Sequence, residues 1–262
     1  MSILVFDIET VPDLVSGRKL YDLHGLSDED TAAAMFALRR SKVGHDFLPH
    51  HLQQIVAISA VLAKSDQVTV WSLGDENSTE AELIQRFFSG IDKHAPTLVS
   101  WNGNGFDLPV LHYRALLHQI AAPTYWENGE NNAAFRWSNY LNRFHYRHLD
   151  LMDVLSGYQN KAFAPLDEIA HMLGFPGKTG MHGDQVWPEY QAGHLKKIRD
   201  YCETDVLNTY GVYLHFERMR GTLSPSEHQQ ALDNLANYLK TESHKPHLAE
   251  FLQHWRPLTN PI

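Results

Sequence analysis

The chain has 262 residues, 43% of them hydrophobic and 11% aromatic, enough for a packed core in one large domain or two small ones. A formal net charge of -9 excludes a general nucleic-acid coat protein with a broad basic face, but not an enzyme that grips only a few nucleotides. One cysteine, Cys202, excludes an intrachain disulfide, and with no basic leader in the first ten residues and no apolar run near a membrane-spanning length, the expectation is a soluble, cytoplasmic protein.

Ile3–Phe6 reads as a short buried strand, and Asp7-Ile8-Glu9 follows it directly. Residues 11–50 break the pattern, as either a lid over a site or plain packing, with a helix after Ser27 as N-cap and Asp28, Glu29 and Asp30 in its first turn. Ile55–Leu62 and Gln67–Leu73 are strands joined by the short linker Lys64-Ser65-Asp66, a hairpin or meander beside the first strand. Helical spacing takes over at Glu80–Ile91, where Leu83, Ile84, Phe87, Phe88 and Ile91 share a face. Thr97–Trp101 reads as a strand, Leu108–Gln119 as a helix, and His148–Leu151 as a short strand with helical stretches near Met152–Tyr158 and Leu166–Leu173. Gly174–Gly180 is a loop rich in breakers, and one long helix runs from about Gly193 to Arg220. Strands first, then alternating helix and strand, predict an α/β layered domain with a mixed sheet. Residues 1–262 read as one domain, with its core to about 218 and a helical extension beyond.

Asp7 and Glu9, two apart at a strand end, point to the same side of a sheet. Like charges that close raise each other's pKa, and a divalent cation removes the penalty. Asp107 lies in Asn102-Gly103-Asn104-Gly105-Phe106-Asp107, after the carboxyl end of a strand, where open α/β sheets place their sites. Before Leu108-Pro109 it also suits a helix cap. Tyr201 and Asp205 stand four apart on the long helix and share one face. Four carboxylates and one phenol then converge from three distant segments. Oxygen ligands of this kind read as a site for a pair of hard cations, Mg²⁺ or Mn²⁺, which serve phosphodiester hydrolysis. Tyr201, a poor base at neutral pH, would orient the attacking water. The seventeen histidines include no HExxH and no Cys/His cluster at ligand spacing, and read as scattered surface and core residues.

The order Asp-x-Glu, Asn-x3-Phe-Asp and Tyr-x3-Asp resembles the three motifs of the DEDD superfamily of 3′→5′ exonucleases, with a ribonuclease H-like fold of five mixed strands flanked by helices. Tyr201 stands four residues before Asp205, and position 200 is Asp rather than His, so the chain is similar to the tyrosine branch. It resembles stand-alone forms of the proofreading exonuclease of family B DNA polymerases, over roughly residues 1–215. The resemblance implies Asp7, Glu9, Asp107 and Asp205 as metal ligands, Tyr201 as water-positioning residue, and Thr10, Asn102 and Phe106 beside the terminal nucleotides of a single-stranded 3′ end.

Phe135–His148 interleaves Arg136, Arg143 and Arg147 with aromatic residues and has no acid, which suggests a surface for phosphates and stacked bases; the alternative is a loop whose aromatics pack inward while its arginines reach solvent. Lys178 could touch a phosphate or be a solvated loop residue, and Asp150 and Asp153 read as helix caps. The expected activity is metal-dependent 3′→5′ hydrolysis of single-stranded nucleic acid, DNA before RNA, to nucleoside 5′-monophosphates. A non-catalytic nucleic-acid or protein-binding module of the same fold is the remaining alternative, and it would not need all four carboxylates.

Overall fold

A computed structural model describes residues 2–64 and 66–258, so Ser65 of the expected linker lies outside the described residues. In chain order the elements are β1 (Ser2–Pro12), α1 (Leu14–Tyr21), α2 (Asp28–Val43), β2 (Gln53–Lys64), β3 (Gln67–Ser72), α3 (Glu80–His94), β4 (Thr97–Ser100), α4 (Asp107–Leu117), β5 (His148–Asp150), α5 (Leu151–Leu155), α6 (Leu166–Met172), α7 (Val186–Gln191), α8 (Leu195–Met219), α9 (Pro225–Thr241) and α10 (Pro246–His254). The strands form a mixed five-stranded sheet of order β3-β2-β1-β4-β5. β1 runs antiparallel to β2 and parallel to β4, and β4 is parallel to β5. This is the ribonuclease H-like arrangement that the motifs imply.

Alternation along β1 decides what lies on each face. Leu4, Phe6 and Ile8 join Leu83, Ile84, Phe87, Leu108 and Leu111 in a core under α3 and α4. Val5 faces the other way, into a core built with Val206, Leu207, Tyr210 and Leu214 of α8 and with Leu235, Leu239, Leu248 and Phe251 of α9 and α10. Asp7 and Glu9 share the parity of Val5 and therefore look toward α8. The expected strand Ile3–Phe6 is corrected here: β1 continues to Pro12, so both acids lie inside a strand rather than at its end. Antiparallel pairing with β2 carries it past Phe6, with a bulge in β2 where Glu9 pairs Ala57 and Thr10 pairs Ile55.

Local signals set most helix starts. Ser27 Oγ accepts from the Asp30 N–H, and Asp28, Glu29 and Asp30 fill the first turn of α2. Thr79 with Glu82 and Ser224 with Glu227 form capping boxes for α3 and α9. The Tyr238 hydroxyl of α9 accepts from the Val70 N–H and donates to the Val70 carbonyl, which blunts the open edge at β3.

Residues 11–50 hold two helices rather than the single one expected. α1 crosses α2 where Gly17 lets Met35 sit against its backbone; a Cβ there would lie 2.2 Å from the Met35 sulfur. Met35, Leu48 and Leu52 form a small core of their own under Leu14 and Tyr21. This unit is tied to the rest through Arg114 of α4. Its guanidinium pairs with Asp13, the N-cap of α1, and with Glu80 of α3 at 2.6 Å, all three side chains being nearly fully buried. Glu80 also accepts the Ile55 N–H at 2.7 Å. Removing the cation strands two buried carboxylates, so Arg114→Ala is expected to cost about 3–5 kcal/mol, read as a shift in the urea midpoint.

Candidate active site

The site lies where β1 runs past the end of β4. β4 pairs with β1 only at Ile3, Leu4 and Val5, and its chain turns away after Ser100. Farther along, the Ile8 N–H donates to Asp107 Oδ1 at 3.1 Å across 99 residues of sequence. Asp107 is the first residue of α4, and the N-cap position belongs to Phe106. The cap reading of Asp107 is thus corrected: its carboxylate closes the open edge of β1 beside Asp7. Capping does hold for Asp150, which accepts from Met152 and Asp153 at the start of α5. The same carboxylate accepts the Asn102 N–H at 2.9 Å and the Asn104 N–H at 2.8 Å, fixing the turn that delivers Asp107. Asn102 itself sits at φ 65°, a left-handed position that Asn tolerates.

From the other side α8 presents Tyr201, Cys202 and Asp205. Asp7, Glu9 and Cys202 offer donor atoms within 4.8 Å of one another. Cys202 Sγ lies 3.5 Å from the Asp7 carbonyl and 3.7 Å from Asp7 Oδ2. The motif spacing carried no sign of this thiol, although its place next to Tyr201 on a buried helix face brings it under β1. Burial, with Asp7 and Glu9 adding, pushes its pKa well up, so it stands there as a neutral thiol.

All four carboxylates are held above their ordinary range. Burial is the main cause for each. For Asp7 the charges of Asp107, Glu9 and Asp205 add to it, and for Glu9 that of Asp205. Asp107 is pushed up to about 7 and Asp205 to about 6. Burial and the charges of Asp205, Glu9 and Asp7 also drive the Tyr201 phenol far above its usual value, which keeps it a hydrogen-bond donor. Asp205 Oδ1 is buried with no hydrogen-bond partner. Crowded acids and a buried, unpartnered oxygen fit a cation, and hard oxygen donors suit Mg²⁺ or Mn²⁺.

One cation is already built in. Lys178 lies 5.6 Å over the Tyr201 ring and lowers the pKa values of Asp205, Glu9 and Asp7. Its loop is clamped by Asn208 of α8, which accepts from the Gly177 N–H and donates to the Gly177 carbonyl. Gly177 is required there: φ is 65°, and a Cβ would lie 2.2 Å from His171. Asp7, Asn102, Lys178 and Asp205 line a cleft of about 450 Å³, together with Trp101, Met152, Phe163 and Asp167, which the sequence motifs did not single out. A larger cavity of about 550 Å³ lies by β2, β3 and α3, and none of the five motif residues lines it.

The other expected substrate residues fall outside that cleft. Thr10 donates to Gln53 Oε1 and borders a second cleft with Phe47, Leu48 and Trp187. Phe106 packs against Phe47 at 5.5 Å and His50 at 5.8 Å, so residues 11–50 reach the Asn102–Asp107 turn. Arg143 is exposed and pairs with Asp153 at 2.8 Å. Arg147 is held within its loop: its guanidinium lies 4.2 Å over the Phe135 ring and donates to the Ser138 carbonyl. Packing on aromatics and a backbone acceptor occupy it, so this arginine follows neither expectation: it is neither turned to solvent nor left free for a phosphate.

Residues 45–255 match the family described as a predicted 3′-5′ exonuclease related to the exonuclease domain of PolB. The chain belongs to this family, and it is by that membership a 3′→5′ exonuclease. Among solved structures it is similar to the family B DNA polymerase of the hyperthermophilic archaeon Pyrobaculum calidifontis, with a TM-score of 0.50 and 17% identity over 94% of this chain and 29% of the polymerase. A zinc-bound complex of E. coli ExoI with single-stranded DNA matches at a TM-score of 0.34 and 13% identity, over 95% of this chain and 45% of that one. The chain thus spans less than half the length of either structure. No curated protein matches it by sequence. No helix among the described residues is long and apolar enough to cross a membrane.

Proposed function

We propose that the chain removes nucleoside 5′-monophosphates from the 3′ end of single-stranded nucleic acid, DNA in the first instance, using two divalent cations, Mg²⁺ or Mn²⁺. The observation that carries this reading is the convergence of Asp7, Glu9, Asp107 and Asp205, all with raised pKa values, together with the buried Asp205 oxygen that has no hydrogen-bond partner. Asp7, central in that group, would hold both cations, with Glu9, Asp107 and Asp205 as the remaining ligands. When bound, the cations lower the pKa of the attacking water and offset charge on the leaving 3′ oxygen. Tyr201 orients the water through its hydroxyl, the role its place four residues before Asp205 implies for the tyrosine branch. Lys178, facing the same carboxylates, meets a phosphate of the substrate, while Asn102, which lines the same cleft, holds the terminal nucleotide. A free strand end suits the cleft because a paired base resists being splayed into it. The helices α9 and α10 pack on α8, in keeping with one exonuclease domain carrying a helical extension. The lone buried Cys202 supports a reducing compartment, and the cytoplasm is the proposed location.

A time course on end-labelled single-stranded DNA, single-stranded RNA and duplex tests this reading. Single-stranded DNA is expected to shorten from its 3′ end to mononucleotides. The activity should vanish in EDTA and return with Mg²⁺ or Mn²⁺. Shortening from the 5′ end, or undiminished cleavage in EDTA, would overturn the reading; preference for RNA would change the substrate and keep the chemistry.

A further inference from the structure

Beside the cleft, the segment after α4 forms a surface unlike the rest of this acidic chain. Residues 131–149 carry three arginines and no acidic residue. Phe144 and Tyr146 are 64% and 56% exposed, far from the usual fate of large aromatics. They belong to one connected cluster. The Arg143 guanidinium lies 5.3 Å over the Tyr158 ring and 6.0 Å over that of Phe144, and the two rings meet edge to face at 4.8 Å. Tyr146 is an electrostatic neighbour of Tyr158 and carries the Arg220 guanidinium 4.9 Å over its ring. The acids facing this cluster are Asp153, already paired with Arg143, Glu217, paired with Arg220 at 2.9 Å, and the buried Asp150.

Two observations connect the cluster to the site. Asp153 bonds Arg143 with one oxygen and the Asn104 side chain with the other, at 2.8 and 2.9 Å, so Arg143 is two contacts from the turn that delivers Asp107. Phe163, five residues beyond Tyr158, lines the carboxylate cleft itself. The backbone adds a third. Tyr158 holds φ 61°, a left-handed conformation that a bulky residue adopts only when its surroundings enforce it, and its N–H donates to the Asp153 carbonyl at 2.7 Å. That constraint fixes the Tyr158 ring under Arg143.

We infer that Arg143, Phe144, Tyr146 and Tyr158, with Arg220 at the far end, form a stacking platform for nucleotides upstream of the one being removed. The inference rests on the exonuclease reading and adds a second binding region to it. Single-stranded nucleic acid is the occupant because the surface joins flat π-faces to positive charge inside a negative chain, and because it continues from a cleft that takes a strand end. Stacking is tolerant of base and sugar, so the platform holds the strand without selecting its sequence.

The test is fluorescence anisotropy with labelled single-stranded DNA of three and of twelve nucleotides, in EDTA so that nothing is cut. The wild-type chain is expected to bind the longer strand more tightly. Phe144→Ala with Tyr158→Ala should weaken twelve-nucleotide binding about tenfold or more and leave three-nucleotide binding within about twofold, since each stacked base contributes separately. Phe144→Trp, which keeps a π-face, should retain wild-type binding and guards against misfolding of the double variant. Arg143→Ala and Arg220→Ala should each flatten the salt dependence by somewhat under one unit of log–log slope, the value for one phosphate contact on a single strand. Unchanged twelve-nucleotide affinity in the double variant, or an equal loss for both lengths, would overturn the platform. The exonuclease reading stands or falls separately, on the metal-dependent hydrolysis of the time course.

Discussion

Asp7→Ala is expected to abolish hydrolysis while raising the melting temperature of the metal-free protein. The loss should be about 10³-fold or more, because the variant removes the charge proposed to bridge two cations, each worth several kcal/mol of transition-state stabilisation. The stability gain has a different source. Asp7 lies among Asp107, Glu9 and Asp205, and each of these raises its pKa in addition to burial. Deleting one crowded carboxylate relieves that repulsion, and a gain of about 1 kcal/mol would lift the midpoint of a chain of this size by about 2–4 °C. The two readouts together separate a dead site from a damaged fold. Near-normal turnover in Asp7→Ala would sink the two-cation assignment. A dead variant that melts well below wild type in EDTA would instead make Asp7 a structural residue.

Stability of the metal-free protein is expected to fall as pH rises above about 6.5, and added Mg²⁺ to offset the fall. The folded chain keeps protons on Asp205 up to about 6 and on Asp107 up to about 7, and on Asp7 and Glu9 well above their ordinary values. The unfolded chain releases the same protons near pH 4. Between those limits the folded state binds more protons, so stability decreases with rising pH, by about 1.4 kcal/mol per unit for each group that lags. Buried histidines act in the opposite sense. His112, His148 and His215 are lowered to about 4 by burial, so the unfolded state binds more protons until about pH 6.5, and stability rises with pH over that window. Above it only the carboxylates remain. Melting curves in EDTA and in Mg²⁺ at about pH 6 and 8 should therefore diverge, with the larger metal-dependent gain at the higher pH, where the ligands no longer surrender protons to bind. A gain that shrinks with pH would show that these carboxylates do not hold the metal.

Much of the site could be named from the sequence because its parts are tied to local geometry. The Asp7/Glu9 parity follows from the two-residue repeat of a strand, and the Tyr201/Asp205 pairing from the turn of a helix. The helix start at Ser27 follows from a cap a few residues long. α1 escapes the sequence reading because it is only eight residues long and buries only Gly17: what holds it is the Arg114–Asp13 pair and the Gly17–Met35 contact, both made with other segments.

The sequence by itself determined where the sheet's strands and the long helix lie along the chain, though not how far β1 runs, and it singled out the four acids and the phenol proposed for the site, since each is written in a repeat or a motif within a few residues. Only the tertiary structure decided what those residues meet. It turned Asp107 from a cap candidate into the partner of the Ile8 N–H, set Cys202 against Asp7, and engaged Arg147 in its own loop while leaving Arg143 at the surface. These are contacts between segments 10 to 195 residues apart for the hydrogen bonds of Arg143 and Cys202 respectively. Their geometry is fixed by how β1, α4 and α8 pack, and no local pattern records that packing.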